Sequence, residues 1–514
     1  MKSETKDKLL KQLIVALFVF VLVTITAKCS FLYKMNYWVD PNCYFTVARA
    51  MKKGFVLYRD IYEQKGPYVY FLHYIAASIS NGYIGMWIFE VIAGLIVACF
   101  AYKLLSLYIE NDVKRIIYLL IFLSFYYTSP GFRTGDSVEE MSIPFLLIAF
   151  YFLVKSIKNN APMPFYQMMI IGALSGIIFF SKYTICGMIF AIALMTFIWD
   201  IKDKRTKKAF LEIVYFFTGF IVALLPALIY FKVNNSLSYF WDAYFYNNIF
   251  IYSSEKKSFI VKIGLALLGY SLSYIQLCTI YLLIIFGFIF AIKDKRNHSR
   301  LFVTVLVIYI ITMLFLFGGG VYYRYYGLPT VIFGLFGIIS IDKHGYKMPK
   351  ITEIIKKYDK KLLLLFIPLE LILIFAVGEN NYFMFRKETD YAEINIANIV
   401  NEYKKTHEDE DVSVYNYGGL DYGIYNLTGI MPPNKYFCEL NVPLKEMYEV
   451  QNETLKNGEV TFVLAKNLNA DDISERVEGF TDKYELYYYE ESPDYYSFVK
   501  YRNNIYYLYK LKEA

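Results

Sequence analysis

Apolar stretches long enough to cross a lipid bilayer recur along this chain, and they constrain its fold more than any other feature. A membrane-crossing helix needs about 20 mainly apolar residues, because its backbone polar groups must bond within the helix. The chain has 514 residues, of which 57% are hydrophobic, 19% aromatic and only 19% charged. This composition predicts an α-helical polytopic membrane protein rather than a globular one.

We predict about eleven transmembrane helices from these stretches. They cover residues 13–33, 85–109, 116–127, 141–154, 165–180, 184–199, 210–231, 272–292, 301–317, 327–341 and 362–377. Lysine and arginine are concentrated at the amino end and in alternate loops, such as 200–208 and 342–361. Retained cations mark the cytoplasmic side of a membrane. The chain is therefore predicted to lie in the cytoplasmic (plasma) membrane, with its amino end on the cytoplasmic side and its carboxyl end on the outer side.

The composition becomes polar and charged from Gly378 onward. Alternating runs at 412–415, 461–464, 484–489 and 505–509 predict strands, and helical patterns lie at 390–405 and 443–457. The chain is therefore predicted to divide into a transmembrane domain, residues 1–377, and a small extracytoplasmic α/β domain, residues 378–514.

The segment between the first two predicted spans, residues 36–74, is charged and aromatic instead of apolar. Asp40-Pro41 opens a pattern in which apolar residues recur at helical spacing from Tyr44 to Met51, which predicts an amphipathic helix at the membrane surface. The following stretch, 58–67, contains acidic and basic side chains at the membrane edge, where unpaired charge is costly. A second short helix is expected over 68–80. A charged segment in this position indicates a functional role in addition to connecting two spans.

Several classes of site are not indicated. Six cysteines and four histidines are scattered without a CxxC motif, so neither a metal site nor a disulfide framework is predicted. The net charge is +7, but the basic residues do not form a patch with the spacing needed to contact a nucleic-acid groove. No nucleic-acid partner is therefore expected. No cofactor is expected either, with a divalent cation as the alternative.

Charged side chains on the predicted outer face come from four separate loops, and a helix bundle could bring them together. They are Asp40, Glu63, Lys65, Arg133, Asp136, Glu139, Glu140, Lys182 and Arg324.

The first loop resembles that of a known superfamily of membrane enzymes. The residues that resemble it are Asp40-x-x-x-Tyr44-x-x-x-Ala48-Arg49, Gly54, Tyr58-x-Asp60 and Glu63-Gln64-Lys65-Gly66-Pro67. This pattern is similar to GT-C glycosyltransferases of the protein O-mannosyltransferase and aminoarabinose-transferase type. The resemblance implies a GT-C fold, a polyprenyl-phosphate sugar as donor, a catalytic base at Asp40 and a donor-phosphate contact at Lys65.

Two further elements resemble the same enzymes more loosely. Glu139-Glu140 is similar to the acidic element of their second external loop, and Tyr325-Tyr326 to their late aromatic pair.

Sugar transfer requires a base and a cation. An acceptor hydroxyl attacks the anomeric carbon while a phosphate leaves, so a carboxylate must take the proton and cations must stabilise the phosphate charge. The catalytic candidates are Asp40, Glu139 and Glu140. The donor-phosphate candidates are Lys65, Arg133, Arg324 and Lys182, and the acceptor or sugar candidates are Glu63, Tyr325 and Tyr326.

Each candidate also has a structural alternative. Asp40 before Pro41 suits a helix N-cap, and Lys65 can extend toward lipid headgroups. The Glu139-Glu140 pair favours a helix amino end. Arg133 and Arg324 can form structural ion pairs, and most tyrosines belong at the membrane interface.

The sequence therefore predicts a glycosyltransferase that moves a sugar from a polyprenyl-phosphate carrier to an extracytoplasmic acceptor, with inversion. The acceptor is a cell-wall polymer, a glycolipid or a protein. A glycolipid transporter or flippase is the alternative, and a membrane anchor that displays the carboxyl-terminal domain is a third. The long acidic first loop favours the enzyme, whereas the lack of repeated, broken spans disfavours a transporter.

Overall fold

The computed structural model describes residues 2–252, 258–293, 300–319, 322–344, 361, 365–496 and 499–513. Among the described residues up to Val377, the α-helices are α1 (Lys2–Thr26), α2 (Val39–Lys52), α3 (Pro67–Ile79), α4 (Ile84–Ser106), α5 (Asp112–Tyr127), α6 (Val138–Asn159), α7 (Phe165–Phe179), α8 (Gly187–Lys202), α9 (Thr206–Val233), α10 (Leu237–Phe240), α11 (Phe259–Gln276), α12 (Cys278–Lys293), α13 (Arg300–Phe317), α14 (Ile332–His344) and α15 (Leu365–Val377). The carboxyl-terminal part adds α16 (Ala392–Thr406), α17 (Ile424–Thr428), α18 (Lys445–Asn457), α19 (Ala470–Ser474) and α20 (Phe480–Lys483).

The predicted helical membrane fold is confirmed. In the part of the chain that the structure describes, six helices are long and apolar enough to cross a bilayer: Lys6–Thr26, Ile84–Ser106, Val138–Asn159, Tyr183–Lys202, Thr206–Val233 and Arg300–Phe317. Shorter apolar helices are α7 and α15. The predicted total of about eleven crossings stays a prediction, and residues 345–360 and 362–364 lie outside the described residues.

The predicted eighth span, residues 272–292, is wrong as a single straight helix. Helix α11 begins earlier than expected, and Ile260–Ser273 meets Cys278–Ile292 at an angle of 98°. The Ser273 hydroxyl lies 2.9 Å from that of Tyr281 at this corner, and its backbone oxygen accepts a hydrogen bond from the Leu277 amide. The bent pair is a broken span or a re-entrant loop, so the expectation of unbroken spans is wrong here.

The chain forms two compact units. The helical unit contains residues 1–30, 87–226 and 257–381, and the mixed unit contains residues 31–86, 227–256 and 382–514. This grouping follows contacts rather than sequence order, and the predicted division at residues 377 and 378 stays a prediction.

Small residues allow close packing in the helical unit. A Cβ added at Gly287 of α12 would lie 2.4 Å from the Gly337 Cα of α14, and one added at Gly337 would lie 2.2 Å from the Leu283 carbonyl oxygen. Such contact between backbones is typical of membrane helices, where van der Waals packing replaces the hydrophobic effect. These glycines therefore fix the spacing of α12 and α14.

A four-stranded sheet forms the centre of the carboxyl-terminal part of the mixed unit. Its strands are β1 (Val414–Tyr417), β2 (Phe462–Lys466), β3 (Tyr484–Tyr496) and β4 (Val499–Leu511), in the order β1-β2-β4-β3. The β1 and β2 strands are parallel, whereas β4 is antiparallel to both of its neighbours. The predicted small α/β domain is confirmed, since β1, β2, α16 and α18 match the predicted runs within a few residues. The β3 strand ends seven residues after its predicted run, and β4 begins six residues before its own.

The first-loop helix α2 begins one residue before its predicted start. Trp38 occupies the N-cap position with extended backbone, and its amide donates to Asn36 Oδ1 at 3.1 Å. Asp40 lies inside the first turn, so the interpretation of Asp40 as the N-cap is wrong. The reason is that the Asn36 side chain binds the Trp38 amide and sets the turn before the helix. An acid in the first turn still interacts favourably with the helix dipole.

Within the mixed unit, α2 is bonded to the carboxyl-terminal segment. The Thr46 hydroxyl donates to Asp421 Oδ2 at 2.6 Å, and the Gly423 amide donates to Asp421 Oδ1 at 2.7 Å. The Arg49 guanidinium donates to the carbonyl oxygens of Tyr425 and Asn426. Asp421 is fully buried, and this burial raises its carboxyl pKa from 3.8 to about 6.

Asp421 gives a pH-dependent prediction. Because the folded protein binds its proton more tightly than the unfolded chain, Asp421 contributes stability that is present below about pH 4 and lost as the pH rises to about 6. The contribution is on the order of 3 kcal/mol. In thermal unfolding of the purified protein between pH 4 and 7, the midpoint of the Asp421→Asn variant should therefore rise relative to wild type as the pH increases.

The exposed Asp409 supplies the matched control. The difference in thermal midpoint between Asp409→Asn and wild type should not change with pH. A flat difference for Asp421→Asn as well would contradict the prediction.

Candidate active site

The loop that contains the Glu63-Gln64-Lys65-Gly66-Pro67 motif is fixed by an aromatic stack. The Tyr58 ring stacks on Phe231 at 5.5 Å and on Phe240 at 6.1 Å between ring centroids. Its hydroxyl donates to the Lys65 carbonyl oxygen at 2.5 Å. Tyr58 is fully buried and has a φ of 66°, a conformation that costs a non-glycine residue free energy. The buried stack and hydrogen bond therefore determine the path of the loop.

The neighbouring residues of the motif have structural partners of their own. Asp60 accepts a hydrogen bond from the Val56 amide at 2.8 Å and forms an ion pair with Arg59. The Asn248 amide nitrogen donates to the Gln64 carbonyl oxygen at 2.8 Å. Asp60, which the sequence pattern includes, thus stabilises the turn.

Glu63 and Lys65 form the charged pair of the motif. Glu63 is 3% exposed and accepts hydrogen bonds from the Tyr70 hydroxyl and, at 3.0 Å, from the Lys65 amide. The Lys65 ammonium lies 3.8 Å from Glu63 Oε1 and 5.8 Å from the centroid of the Tyr44 ring. Burial raises the pKa of the Glu63 carboxyl, and the Lys65 ammonium opposes this rise.

Asp40 belongs to the same electrostatic environment. Its charge adds to the rise in the pKa of Glu63, and Asp40 is half-buried in the first turn of α2. The mixed unit thus brings together three of the predicted residues, Asp40, Glu63 and Lys65. A cation next to two carboxylates can bind an anion and leaves a carboxylate to accept a proton.

A second cluster of predicted residues lies in the helical unit. The Lys182 ammonium forms an ion pair with Glu139 Oε1 at 2.5 Å and lies 3.7 Å from the centroid of the Tyr326 ring and 5.7 Å from that of Tyr325. Glu139 is buried, Tyr325 is buried, and Tyr326 is half-exposed. Segments far apart in sequence therefore converge on one lysine. Attraction between an ammonium and aromatic rings strengthens such a site.

The Glu140 carboxylate stabilises the start of α6. Ser137 is the N-cap, and its hydroxyl accepts a hydrogen bond from the Glu140 amide at 3.0 Å. Glu140 Oε2 accepts one from the Asp136 amide at 2.8 Å. This arrangement is close to a capping box, as the structural alternative for the Glu139-Glu140 pair predicts.

The two predicted arginines are in the helical unit, and each contacts one of two successive residues, Glu379 and Asn380. Arg324 forms an ion pair with Glu379 at 2.6 Å, which is the structural alternative for this residue. Arg133 has a φ of 61°, and its carbonyl oxygen accepts a hydrogen bond from Asn380 at 2.7 Å.

Glu90 was missed in the sequence prediction. It lies in α4, is fully buried, and its carboxylate oxygens have no hydrogen-bond partner among the described residues. A Cβ added at Gly135 would lie 2.2 Å from Glu90 Oε1, and Glu90 interacts electrostatically with Asp136 and Glu140. A single acid inside an apolar span was the available signal, because ionisable residues within spans are costly and mark functional positions.

Among the described residues, no group of three or more histidine, cysteine, aspartate and glutamate side chains is arranged to hold a metal ion.

The Glu139–Lys182 pair gives a stability prediction. Removing the lysine leaves the buried Glu139 carboxylate without its cation, so Lys182→Met should destabilise the protein by about 3 kcal/mol. Glu139→Gln should destabilise it less, because Lys182 is partly exposed and keeps its contact with the Tyr326 ring. The double variant should lose less than the sum of the two, as measured by thermal unfolding of the purified protein.

The matched control is the exposed pair of Lys456 and Glu478, 2.9 Å apart, whose Lys456→Met and Glu478→Gln variants should change stability little. If the losses of stability in the two single variants added up to the loss in the double variant, the predicted energetic coupling between Glu139 and Lys182 would be contradicted.

Comparison with known proteins agrees with the described fold. Residues 64–230 match the family model described as dolichyl-phosphate-mannose-protein mannosyltransferase. No curated protein matches the sequence at a significant level. The structure is similar to ArnT from Cupriavidus metallidurans, in the apo state and bound to undecaprenyl phosphate, each with a TM-score of 0.60, 11% identity and 98% of both chains covered.

A weaker likeness is to the archaeal oligosaccharyltransferase AglB from Archaeoglobus fulgidus, described in complex with an inhibitory peptide and a dolichol-phosphate. Its TM-score is 0.45 at 11% identity, with 95% of this chain and 73% of that chain covered. The fold shared with ArnT agrees with the resemblance stated from the first loop.

Proposed function

We propose that this protein is a membrane glycosyltransferase that transfers a sugar from a polyprenyl-phosphate donor to an extracytoplasmic acceptor. The observation that carries the proposal is the Glu63–Lys65 pair beside Asp40, in the loop of a GT-C fold. The solved relative bound to undecaprenyl phosphate and the family model named for a dolichyl-phosphate sugar support the donor class, since both lipids are polyprenyl phosphates.

Lys65 is assigned to the donor phosphate. Its side chain is 18% exposed, and its ammonium is oriented by the Glu63 carboxylate and the Tyr44 ring. A phosphate bound to the Lys65 ammonium forms a charge-assisted hydrogen bond, which is stronger than a neutral hydrogen bond. The cation stabilises the charge that collects on the phosphate oxygens as the sugar leaves.

Asp40 is assigned as the general base. The acceptor oxygen forms a bond to the anomeric carbon, the bond from that carbon to the phosphate oxygen breaks, and the acceptor proton moves to Asp40. The free polyprenyl phosphate leaves with the bonding electrons. Attack opposite the leaving phosphate inverts the anomeric configuration.

The cluster in the helical unit is assigned a supporting role. Lys182 and Tyr326 offer a cation and a half-exposed ring, which suit an anionic group and a sugar face. Arg133 remains a donor-phosphate candidate, while the ion pair with Glu379 favours a structural role for Arg324. No cofactor is proposed.

The orientation follows from the charge of the loops. The lysine and arginine residues of the predicted cytoplasmic loops support an amino end inside and a carboxyl end outside. Reporters after Ala514 and within residues 342–361 should accordingly be found on opposite sides of the membrane.

The assignment of Asp40 predicts a kinetic effect. The Asp40→Asn variant should keep its expression, its thermal midpoint and its donor binding, and it should lose about 100-fold or more in turnover, because this is the scale of general base catalysis. Turnover is measured as sugar transferred from a radiolabelled polyprenyl-phosphate sugar by purified protein. Wild-type turnover in this variant would rule out the role, and loss of folded protein would indicate a structural one.

The assignment of Lys65 predicts an effect on donor binding. Lys65→Met should weaken binding of a polyprenyl phosphate and slow transfer, whereas Lys65→Arg should recover part of both, since arginine keeps the charge but changes its geometry. The exposed Lys53 is the matched control, and Lys53→Met should leave both quantities unchanged. Unchanged donor binding in Lys65→Met would contradict the assignment.

The same assay separates the enzyme from a flippase. Transfer must release free polyprenyl phosphate, whereas transport of a glycolipid releases none. The enzyme proposal would be abandoned if the protein moved a polyprenyl-phosphate sugar across liposomes in a Lys65-dependent way and released no free carrier. The bent pair α11 and α12 makes this control necessary, since broken helices are typical of transporters.

A further inference from the structure

A cavity of about 470 Å³ opens within the mixed unit. One wall is the helical segment Trp241–Ile251, which has π-helical hydrogen bonding. The other walls come from residues 435–446 and from Tyr58 and Tyr62 of the first loop. This volume falls in the usual range of small-ligand sites, about 300–1,000 Å³.

The π-helix is itself an unusual element. Such helices are rare and occur frequently at functional sites. Bonding from each residue to the fifth along places Asp242 and Asn247 on one face of the segment, and both line the cavity. The Asn247 amide nitrogen donates to the Tyr62 hydroxyl at 2.9 Å. The rare backbone thus directs polar groups toward the cavity.

Tyrosine rings make up much of the lining. The Tyr62 and Tyr436 rings lie 5.4 Å apart between centroids. Tyr239 and Tyr246 also line the cavity, and they are 40% and 49% exposed. The Lys435 ammonium lies 5.3 Å from the Tyr239 centroid and the Phe250 ring 5.3 Å from that of Tyr246, yet both tyrosines keep exposed ring surface that is available to a ligand.

The charges of the lining are balanced. Asp242 and Glu446 provide two carboxylates, and Lys435 and Lys445 provide two ammonium groups. The Lys435 ammonium lies between 5.2 and 5.8 Å from the centroids of three tyrosine rings, and burial lowers its pKa. A site with aromatic faces and both hydrogen-bond donors and acceptors, but no net charge, is suited to a neutral polar ligand.

We propose that this cavity binds the acceptor as a carbohydrate chain. A pyranose ring has an apolar face of C–H groups that packs on an aromatic ring, and its hydroxyls bond to carboxylate, amide and ammonium groups. Two common modes of peptide binding, pairing with a strand edge and placing an apolar helix face in a groove, are less suited to this lining. The lining contains no strand and alternates polar and aromatic groups.

Hydrogen bonds within the mixed unit connect the cavity lining to the segment that contains Lys65, the residue assigned to the donor phosphate. The Tyr62 amide donates to the Lys435 carbonyl oxygen at 3.0 Å, so the first loop is bonded to the lining segment. Tyr58, which lines the cavity, also binds the Lys65 carbonyl oxygen. The inference rests on the proposed function in this respect, since it makes the cavity the acceptor site next to the donor lysine.

The test uses full-length purified protein and three uncharged probes, namely cellotetraose, chitotetraose and mannotetraose, titrated by calorimetry. At least one probe should bind to wild type with a Kd of about 1 mM or tighter. Tyr239→Ala and Tyr246→Ala should each weaken this binding at least tenfold. Tyr487→Ala and Tyr489→Ala, which remove tyrosines that are 45% and 60% exposed on β3, should change it less than twofold.

Three outcomes would overturn the inference: no binding of any probe, equal loss in the β3 variants, or Tyr246-dependent binding of a serine-containing tetrapeptide in place of the oligosaccharides. Thermal midpoints confirm that the variants are folded. Binding of undecaprenyl phosphate is measured in parallel on wild type and Lys65→Met. If wild type and Lys65→Met bound undecaprenyl phosphate equally while wild type still bound an oligosaccharide, the proposed function would be overturned and the carbohydrate site would be retained.

Discussion

The Glu63 carboxylate is almost completely removed from solvent, and the arrangement of the first loop depends on how it is stabilised. A buried carboxylate is costly unless it is paired and hydrogen-bonded. Glu63 receives hydrogen bonds from the Tyr70 hydroxyl and the Lys65 amide, and the Lys65 ammonium lies nearby. Together with the stack and the hydrogen bond of Tyr58, these bonds fix the turn between Tyr58 and Pro67. The position of Lys65 therefore follows from the stabilisation of its neighbour.

The carboxyl-terminal part of the chain provides a framework for this loop. Helix α2 is bonded to it through Thr46 and Arg49, which contact Asp421 and the backbone of α17. Cys43 and Cys438 also meet there, with a distance of 3.9 Å between their sulfur atoms. The domain that the sequence presents as a separate appendage thus belongs to the same compact unit as the proposed donor and acceptor residues. The bonds to Thr46 and Arg49 of α2 come from residues 421–426, between β1 and β2, and not from the sheet.

The helical unit combines close packing with buried charge. Glycines bring α12 and α14 together, while Glu139 and Lys182 form an ion pair beside Tyr326. Glu90 adds a carboxylate to the group formed by Asp136 and Glu140. Charges of this kind inside a membrane protein are retained for function more often than for stability.

Local patterns in the sequence determined the elements of this protein, and long-range contacts decided how they work. Apolar runs predicted the helices, alternation predicted the strands, and the motif around Lys65 indicated a resemblance to GT-C glycosyltransferases, because each of these signals depends on residues close in sequence. The pairing of Glu139 with Lys182, the N-cap at Trp38, the bend at Leu277 and the buried Glu90 could not be predicted in this way. Each depends on which distant side chains meet, and only packing in three dimensions sets the partners of a buried charge.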